Sequence, residues 1–197
     1  PEELTSFETF APEIQRAVTE MGWQAPMPVQ RRVTPVMRRR RDLIAQAMTG
    51  SGKTGAFGLP SLEIIDPTLR APQVLVLAPT RELALQIENE IKLMGKYLQV
   101  ETVAVYGGTA YGPQLEAFGR GAQIVVATPG RLLDHLGSGN LKLDKLRVLV
   151  FDEADELSVR VAGRATAQGV LRELPVVDAA WGFYERRYVD PGWDGYL

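Results

Sequence analysis

Short apolar runs rich in β-branched residues recur through the middle of the chain, separated by stretches with helical spacing. The runs are Asp42–Gln46, Val74–Ala78, Val100–Tyr106, Gln123–Thr128 and Val148–Phe151. Most are apolar at consecutive rather than alternate positions, as strands of a parallel sheet covered on both faces are. Helices are predicted between them near Gly55–Ile65, Arg81–Leu98, Tyr111–Phe118 and Arg131–Gly137, with Pro and Gly at Asp66-Pro67, Gly107-Gly108, Pro129-Gly130 and 137–139 as punctuation. Two further helices, Ala11–Met21 and Pro28–Arg38, precede the first run, and Pro12 and Pro28 sit near their starts, where a missing amide hydrogen costs little. The alternation predicts a three-layer α/β fold with a mainly parallel sheet. From Ser158 onward no strand pattern is evident, and 181–197 is aromatic, Gly- and Pro-bearing and aperiodic. The chain therefore reads as an N-terminal helical segment (1–41), an α/β body (42–156) and a tail (157–197).

Composition adds mostly exclusions. A chain of 197 residues, 45% hydrophobic and 23% charged, has the make-up of one globular domain. A domain of this size buries roughly 70% of its unfolded surface and needs no staples. Cys is absent, which excludes disulfides and thiolate metal sites and suits a reducing, cytoplasmic setting. The single His135 cannot build a zinc centre. No apolar run approaches the ~20 residues of a membrane helix, and the acidic start Pro1-Glu2-Glu3 is unlike a signal peptide. With a net charge of −2 the whole-molecule field does not attract nucleic acid, so any such site must be local, built from backbone amides, helix ends and a few Arg side chains. The charge run Arg38 to Arg41 reads as a solvated turn between a helix and the strand after it.

Residues 47–54, Ala-Met-Thr-Gly-Ser-Gly-Lys-Thr, fall between a predicted strand and a predicted helix. Glycines at 50 and 52 let the loop curl until successive amides, from Thr49 through Ser51, converge on phosphate oxygens beside the positive end of the next helix. Lys53 supplies a charge for the β and γ phosphates, and the Thr54 hydroxyl suits Mg²⁺. The complementary acids lie at the end of the last apolar run, in Asp152-Glu153-Ala154-Asp155. Asp152 is placed to hold Mg²⁺ and Glu153 to orient or deprotonate the attacking water. Together the two motifs define a nucleoside triphosphate site.

The Asp152-Glu153-Ala154-Asp155 signature and the phosphate loop resemble those of the DEAD-box RNA helicases, and the runs Tyr106–Tyr111 and Ala122–Arg131 look most like bacterial members. The likeness runs from Phe7 to about Asp155 and implies a RecA-like lobe that uses ATP and Mg²⁺. Gly22-Trp23-Gln24-Ala25-Pro26-Met27-Pro28-Val29-Gln30 is similar to the family's adenine-reading element, which makes Gln30 the implied base reader. An amide donates and accepts at once, as reading adenine requires. Phe7 or Trp23 is the implied stacking aromatic, with a core role equally open for Phe7. Pro79-Thr80-Arg81, Gly107-Gly108 and Thr128-Pro129-Gly130-Arg131 are similar to the family's RNA-contacting elements. The resemblance implies backbone contacts without sequence preference.

Past Glu156 the likeness is expected to fail. The family's Ser-Ala-Thr strand has no counterpart in the sequence, and neither does its second lobe, whose arginine fingers are worth about 10³–10⁵ in rate. A chain ended after the first lobe, a natural short form and a disrupted reading frame are the three explanations, and the abruptness of the change favours the last. The tail is expected to form either a helix near 164–174 followed by loosely attached chain or a hydrophobic patch covered by Trp181, Phe183, Tyr184 and Trp193, and dimerisation through this region is the corollary of strand edges left unpaired.

Overall fold

The computed structural model describes residues 3–153 and Leu157, which fall into two compact units. One comprises residues 3–65 and 89–100, the other 66–88, 101–153 and Leu157. Ala154, Asp155 and Glu156 of the signature region lie outside the described residues, as do the helix, aromatic patch and dimerisation expected of the tail.

The first unit is helical. After a 3-10 turn at Phe7–Thr9 come α1 (Pro12–Glu20), α2 (Pro28–Arg38) and α3 (Lys53–Ile64), joined by the C-terminal half of α4 (Arg81–Met94). Pro12 and Pro28 each occupy the first helical position, as expected. Helix α3 is apolar all round and buried from Gly55 to Leu62, so it has no solvent face to orient it. Gly58 and Gly95 make room for its neighbours: a Cβ would lie 2.5 Å from the Met94 Cε at Gly58 and 3.1 Å from the Leu62 Cδ2 at Gly95. Arg38 is not a free charge. Its guanidinium donates to the Glu63 carboxylate at 2.8 and 2.9 Å and lies over the Phe10 ring, tying α2 to α3.

The second unit is a four-stranded, all-parallel sheet in the order β2-β3-β1-β4. The strands are β1 (Val74–Leu77), β2 (Thr102–Val105), β3 (Ile124–Ala127) and β4 (Val148–Phe151), with α5 (Gly112–Gly119) and α6 (Pro129–Gly137) between them in sequence. Every residue of β1, β2 and β3 is buried, in keeping with their unbroken apolar runs. Leu75, Val105, Val125, Ala127, Leu132 and Leu149 centre the core. At the edge strand β2, the Ala104 N–H turns away from β3 and donates to the Glu88 carboxylate of α4 at 3.0 Å, so a side chain occupies the place of a neighbouring strand.

The N-terminal rim of the sheet is held by two fully buried amides, Gln73 and Gln123. The Gln73 side chain accepts from Asp66 N–H at 2.9 Å and donates to the Asp66 and Leu69 carbonyls. Gln123 accepts from Glu101 N–H at 2.9 Å. Their own carbonyls continue the ladder, Gln123 accepting from Val74 and Gln73 from Val148.

One expected strand is absent. Asp42–Gln46 is not part of a strand: Leu43, Ile44 and Ala45 are half-buried, while Asp42 and Gln46 are exposed. An apolar run reports that a segment can be covered but not that a partner lies alongside, and among the described residues no strand pairs with this one. The turn from Arg39 to Arg41 is exposed, as expected of the charge run, but leads into this irregular stretch.

Candidate nucleotide site and nucleic-acid interface

In the first unit the chain curls between residue 48 and the start of α3. Gly50 (φ +76°) and Gly52 (φ +87°) both adopt the left-handed conformation that the curl needs. Ser51 N–H donates to the Met48 carbonyl at 3.2 Å, closing a turn that leaves the Met48 side chain 84% exposed. Gly52 caps α3 without any side-chain acceptor, so the first amides, at Lys53, Thr54 and Gly55, have no capping partner and carry the positive end of the helix. The Ser51 hydroxyl is buried without a hydrogen-bond partner. Unpaired donors gathered around glycines suit an anion such as a phosphate.

Gln30 lies against this curl and is only 1% exposed. Its Nε2 donates to the Gly52 carbonyl at 3.2 Å, and its Oε1 accepts from Met27 N–H at 3.0 Å. One N–H and one lone pair of the amide stay uncommitted in these bonds. The Trp23 ring edge abuts Gly55, where a Cβ would lie 2.7 Å from the ring and 2.5 Å from the Gln30 Nε2. Phe7 is 7% exposed, packed between Phe10 and Trp23 at centroid distances of 6.3 and 6.1 Å. Trp23 is the more accessible ring of the two.

In the second unit, the parallel register ends all four strands level: Leu77 stands opposite Ala127 and Phe151, and Ala127 opposite Val105. Four loops therefore emerge side by side along the C-terminal edge. In spatial order they carry Gly107-Gly108 after β2, Thr128–Arg131 after β3, Pro79–Arg81 after β1, and Asp152-Glu153 after β4. Adjacent strands lie about 5 Å apart, which spaces the loops within reach of one extended chain. Asp152 N–H donates to the Leu77 carbonyl at 3.0 Å, and the residue is 9% exposed. Glu153 follows with φ +50°, a left-handed conformation rarely taken by a residue with a Cβ.

The three other loops differ in what they present. Thr80 caps α4, its hydroxyl accepting from Leu83 N–H at 3.2 Å, and Arg81 is exposed with its guanidinium over the Tyr106 ring at 4.7 Å. Gly107 and Gly108 are exposed, with open space where side chains would stand. Thr128 begins α6 without a side-chain cap, leaving the amides after Pro129 for other acceptors. Arg131 points inward instead. It is 8% exposed, and its guanidinium stacks on Tyr111 and donates to the Thr109 carbonyl at 2.9 Å and to Gln114 Oε1 at 3.3 Å. The sequence reading missed Gln114, although a Gln three residues before the buried Ala117 marks the inner face of α5.

His135, completely buried, closes the same cluster between the edges of Tyr111 and Phe118. Its Nε2 lies 2.8 Å from Gln114 Oε1. That oxygen already accepts from Arg131, so Nε2 carries the proton and donates. Nδ1 is then a buried acceptor with no partner. Burial first, and the Arg131 charge second, push the imidazole below its ordinary pKa of 6.5.

A glycine curl leading into a helix, and a parallel sheet whose loops gather at one edge, define the class of P-loop proteins with a RecA-like fold. Within that class the chain belongs to the DEAD/DEAH box helicase family, whose model matches residues 27–180. The match continues past Glu156, where the sequence reading expected the likeness to fail. ATP-dependent RNA helicase DeaD of Klebsiella pneumoniae is 49% identical over 163 residues, covering 82% of this chain and 25% of the relative. DeaD of Mycobacterium tuberculosis is 45% identical over 147 residues, covering 74% of this chain and 26% of the relative. The chain thus spans about a quarter of the length of these relatives. Among solved structures, a DEAD box protein from the hyperthermophile Methanococcus jannaschii superposes with a TM-score of 0.73 at 34% identity, covering 86% of this chain and 45% of the other. Dbp5 of S. cerevisiae, solved bound to Gle1 and IP6, gives 0.75 at 30% identity, with 89% and 45% covered.

Proposed function

We propose that this chain is the first lobe of an ATP-dependent RNA helicase, binding ATP with Mg²⁺ at the glycine curl and strand-end acids, and RNA backbone along the upper edge of the sheet. The observation that carries the reading is the alignment of Pro79–Arg81, Gly107-Gly108, Thr128–Arg131 and Asp152-Glu153 on one edge of one sheet. A glycine curl alone would serve any nucleoside triphosphatase. The three further loops add exposed amides and Arg81, the groups with which a protein grips phosphates without reading bases.

The uncapped amides of α3 and Lys53 would hold the phosphates. Thr54 and Asp152 offer the hard oxygen donors that Mg²⁺ takes, and the metal would offset charge on the β and γ oxygens. Glu153 would orient or deprotonate the attacking water. Gln30 would read adenine with the N–H and lone pair its present bonds leave over, and Trp23 supplies the nearby ring. Hydrolysis and unwinding would belong to the enzyme closed by a second lobe, whose arginine fingers contribute about 10³–10⁵ in rate.

Lys53 tests the nucleotide half directly. Lys53→Ala is expected to abolish binding of a fluorescent ATP analogue while leaving the circular dichroism spectrum and melting midpoint as in the parent. Equal affinity in the two proteins would remove the glycine curl from the site.

A further inference from the structure

Gln114 occupies a position in the second unit that neither the phosphate chemistry nor the core explains. It is 4% exposed, yet all of its side-chain bonds go to polar groups of other elements. Nε2 donates to the Tyr106 carbonyl at 3.1 Å and to the Thr109 hydroxyl at 3.3 Å, on the two sides of Gly107-Gly108. Oε1 receives Arg131 and His135, both from α6. The orientation of the amide is forced, because the Tyr106 carbonyl can only accept and the Arg131 guanidinium can only donate. Arg131 returns to the same turn through the Thr109 carbonyl at 2.9 Å. A buried amide with all its donors and acceptors engaged in this way specifies one arrangement of the elements it joins.

We propose that Gln114 is the positioning residue of the RNA-contacting surface, locking the Gly107-Gly108 turn and the Thr128–Arg131 helix start into one rigid pair of backbone donors. The inference rests on the RNA reading above. Gly107-Gly108 carries no side chains with which to hold itself, and both glycines are exposed. Its conformation therefore comes from the flanking Tyr106 and Thr109, and Gln114 grips both. On the other side, Arg131 serves this brace and not the solvent, so the Thr128–Arg131 loop offers RNA its amides rather than a charge.

Gln114→Glu separates the two halves of the brace at constant size. The carboxylate still accepts from Arg131 and His135, and can accept from the Thr109 hydroxyl, but has nothing to donate to the Tyr106 carbonyl. The binding of a single-stranded RNA oligomer by this chain, with an ATP analogue present, is expected to weaken roughly tenfold, the effect of leaving one buried acceptor unpaired. The slope of log affinity against log salt should not change, since no phosphate-contacting cation is lost, and ATP-analogue affinity should hold within twofold. Thr109→Ala, which removes one of the two acceptors at an exposed turn, should weaken RNA by a smaller factor with the same unchanged slope. RNA affinity within about twofold of the parent in a folded Gln114→Glu protein would overturn the proposal. So would a parallel loss of nucleotide binding, which would make Gln114 a general stability residue. A parent chain that binds no RNA would instead sink the reading on which the proposal stands.

Discussion

At Gly55 a single hydrogen stands where the Gln30 amide and the Trp23 ring come together over the start of α3. Alanine there gains up to about 1 kcal/mol of helix propensity. Its Cβ would nevertheless meet Gln30 Nε2 at 2.5 Å and the Trp23 ring at 2.7 Å, and overpacking of that kind costs about 1–3 kcal/mol. The steric effect wins, so Gly55→Ala should lower the denaturation midpoint and loosen ATP-analogue binding together. A more stable variant with unchanged affinity would show that Trp23 and Gln30 yield freely. His135 makes a second prediction. The charged groups about it are Arg131 and Asp134, with Tyr111, Gln114 and Phe118 completing its surroundings. Its folded pKa lies below 6.5, so as pH falls the unfolded chain takes up the proton first. Its contribution to stability is complete above the unfolded value and is lost as pH falls through the folded one. Since the chain has one histidine, a single NMR titration follows it, and a midpoint at or above 6.5 would contradict the burial argument.

Strands and helices were legible to different depths. The runs that became β1, β2, β3 and β4 were recognised because each is apolar along its length and each finds a parallel partner, and the ends differ from the forecast only by residues where the ladder stops. Asp42–Gln46 carries the same pattern and is not a strand, because pairing is a property of two segments and periodicity is written in one. Helix α4 ends at Met94 rather than Leu98; Gly95 follows at once, at a point where a Cβ would lie 3.1 Å from the Leu62 Cδ2. The sheet edge at β2 can be tested through the amide it leaves without a strand partner. Glu88→Ala removes the acceptor of Ala104 N–H, at a cost of about 1 kcal/mol, and should speed exchange of that one amide well above its neighbours in β2. Glu88→Gln, which keeps an acceptor, should restore slow exchange. Equal rates in all three proteins would mean that water serves the edge as well as Glu88 does.

For the molecule as a whole, motif order was the most informative feature of the sequence, and it placed the chain in its family before any coordinates. The direction of individual side chains was not legible. Arg131 belongs to a loop implied to contact RNA yet lies inside, and of the two roles left open for Phe7, stacking ring or core residue, its burial fits the core. Neither fact can be read from spacing, because each depends on what other elements bring to the same point. A consequence follows for binding. Among the described residues of the three candidate RNA loops, Arg81 is the exposed cation, and the net charge is −2. Affinity for single-stranded RNA should then fall with salt at a slope of only about −0.7, the value for one neutralised phosphate. A slope near −5 would require a basic track elsewhere on the chain.

The rim held by Gln73 and Gln123 has an engineering corollary. Those two amides bind the sheet's lower end entirely with groups of this chain, and no loop of the opposite edge takes part in their bonds. The strands are thus assembled from below and decorated from above, much as a handle carries exchangeable heads. Segments 79–81, 107–111 and 128–131 form a cassette that loop grafting can swap for those of a relative, provided the Gln114 brace travels with it.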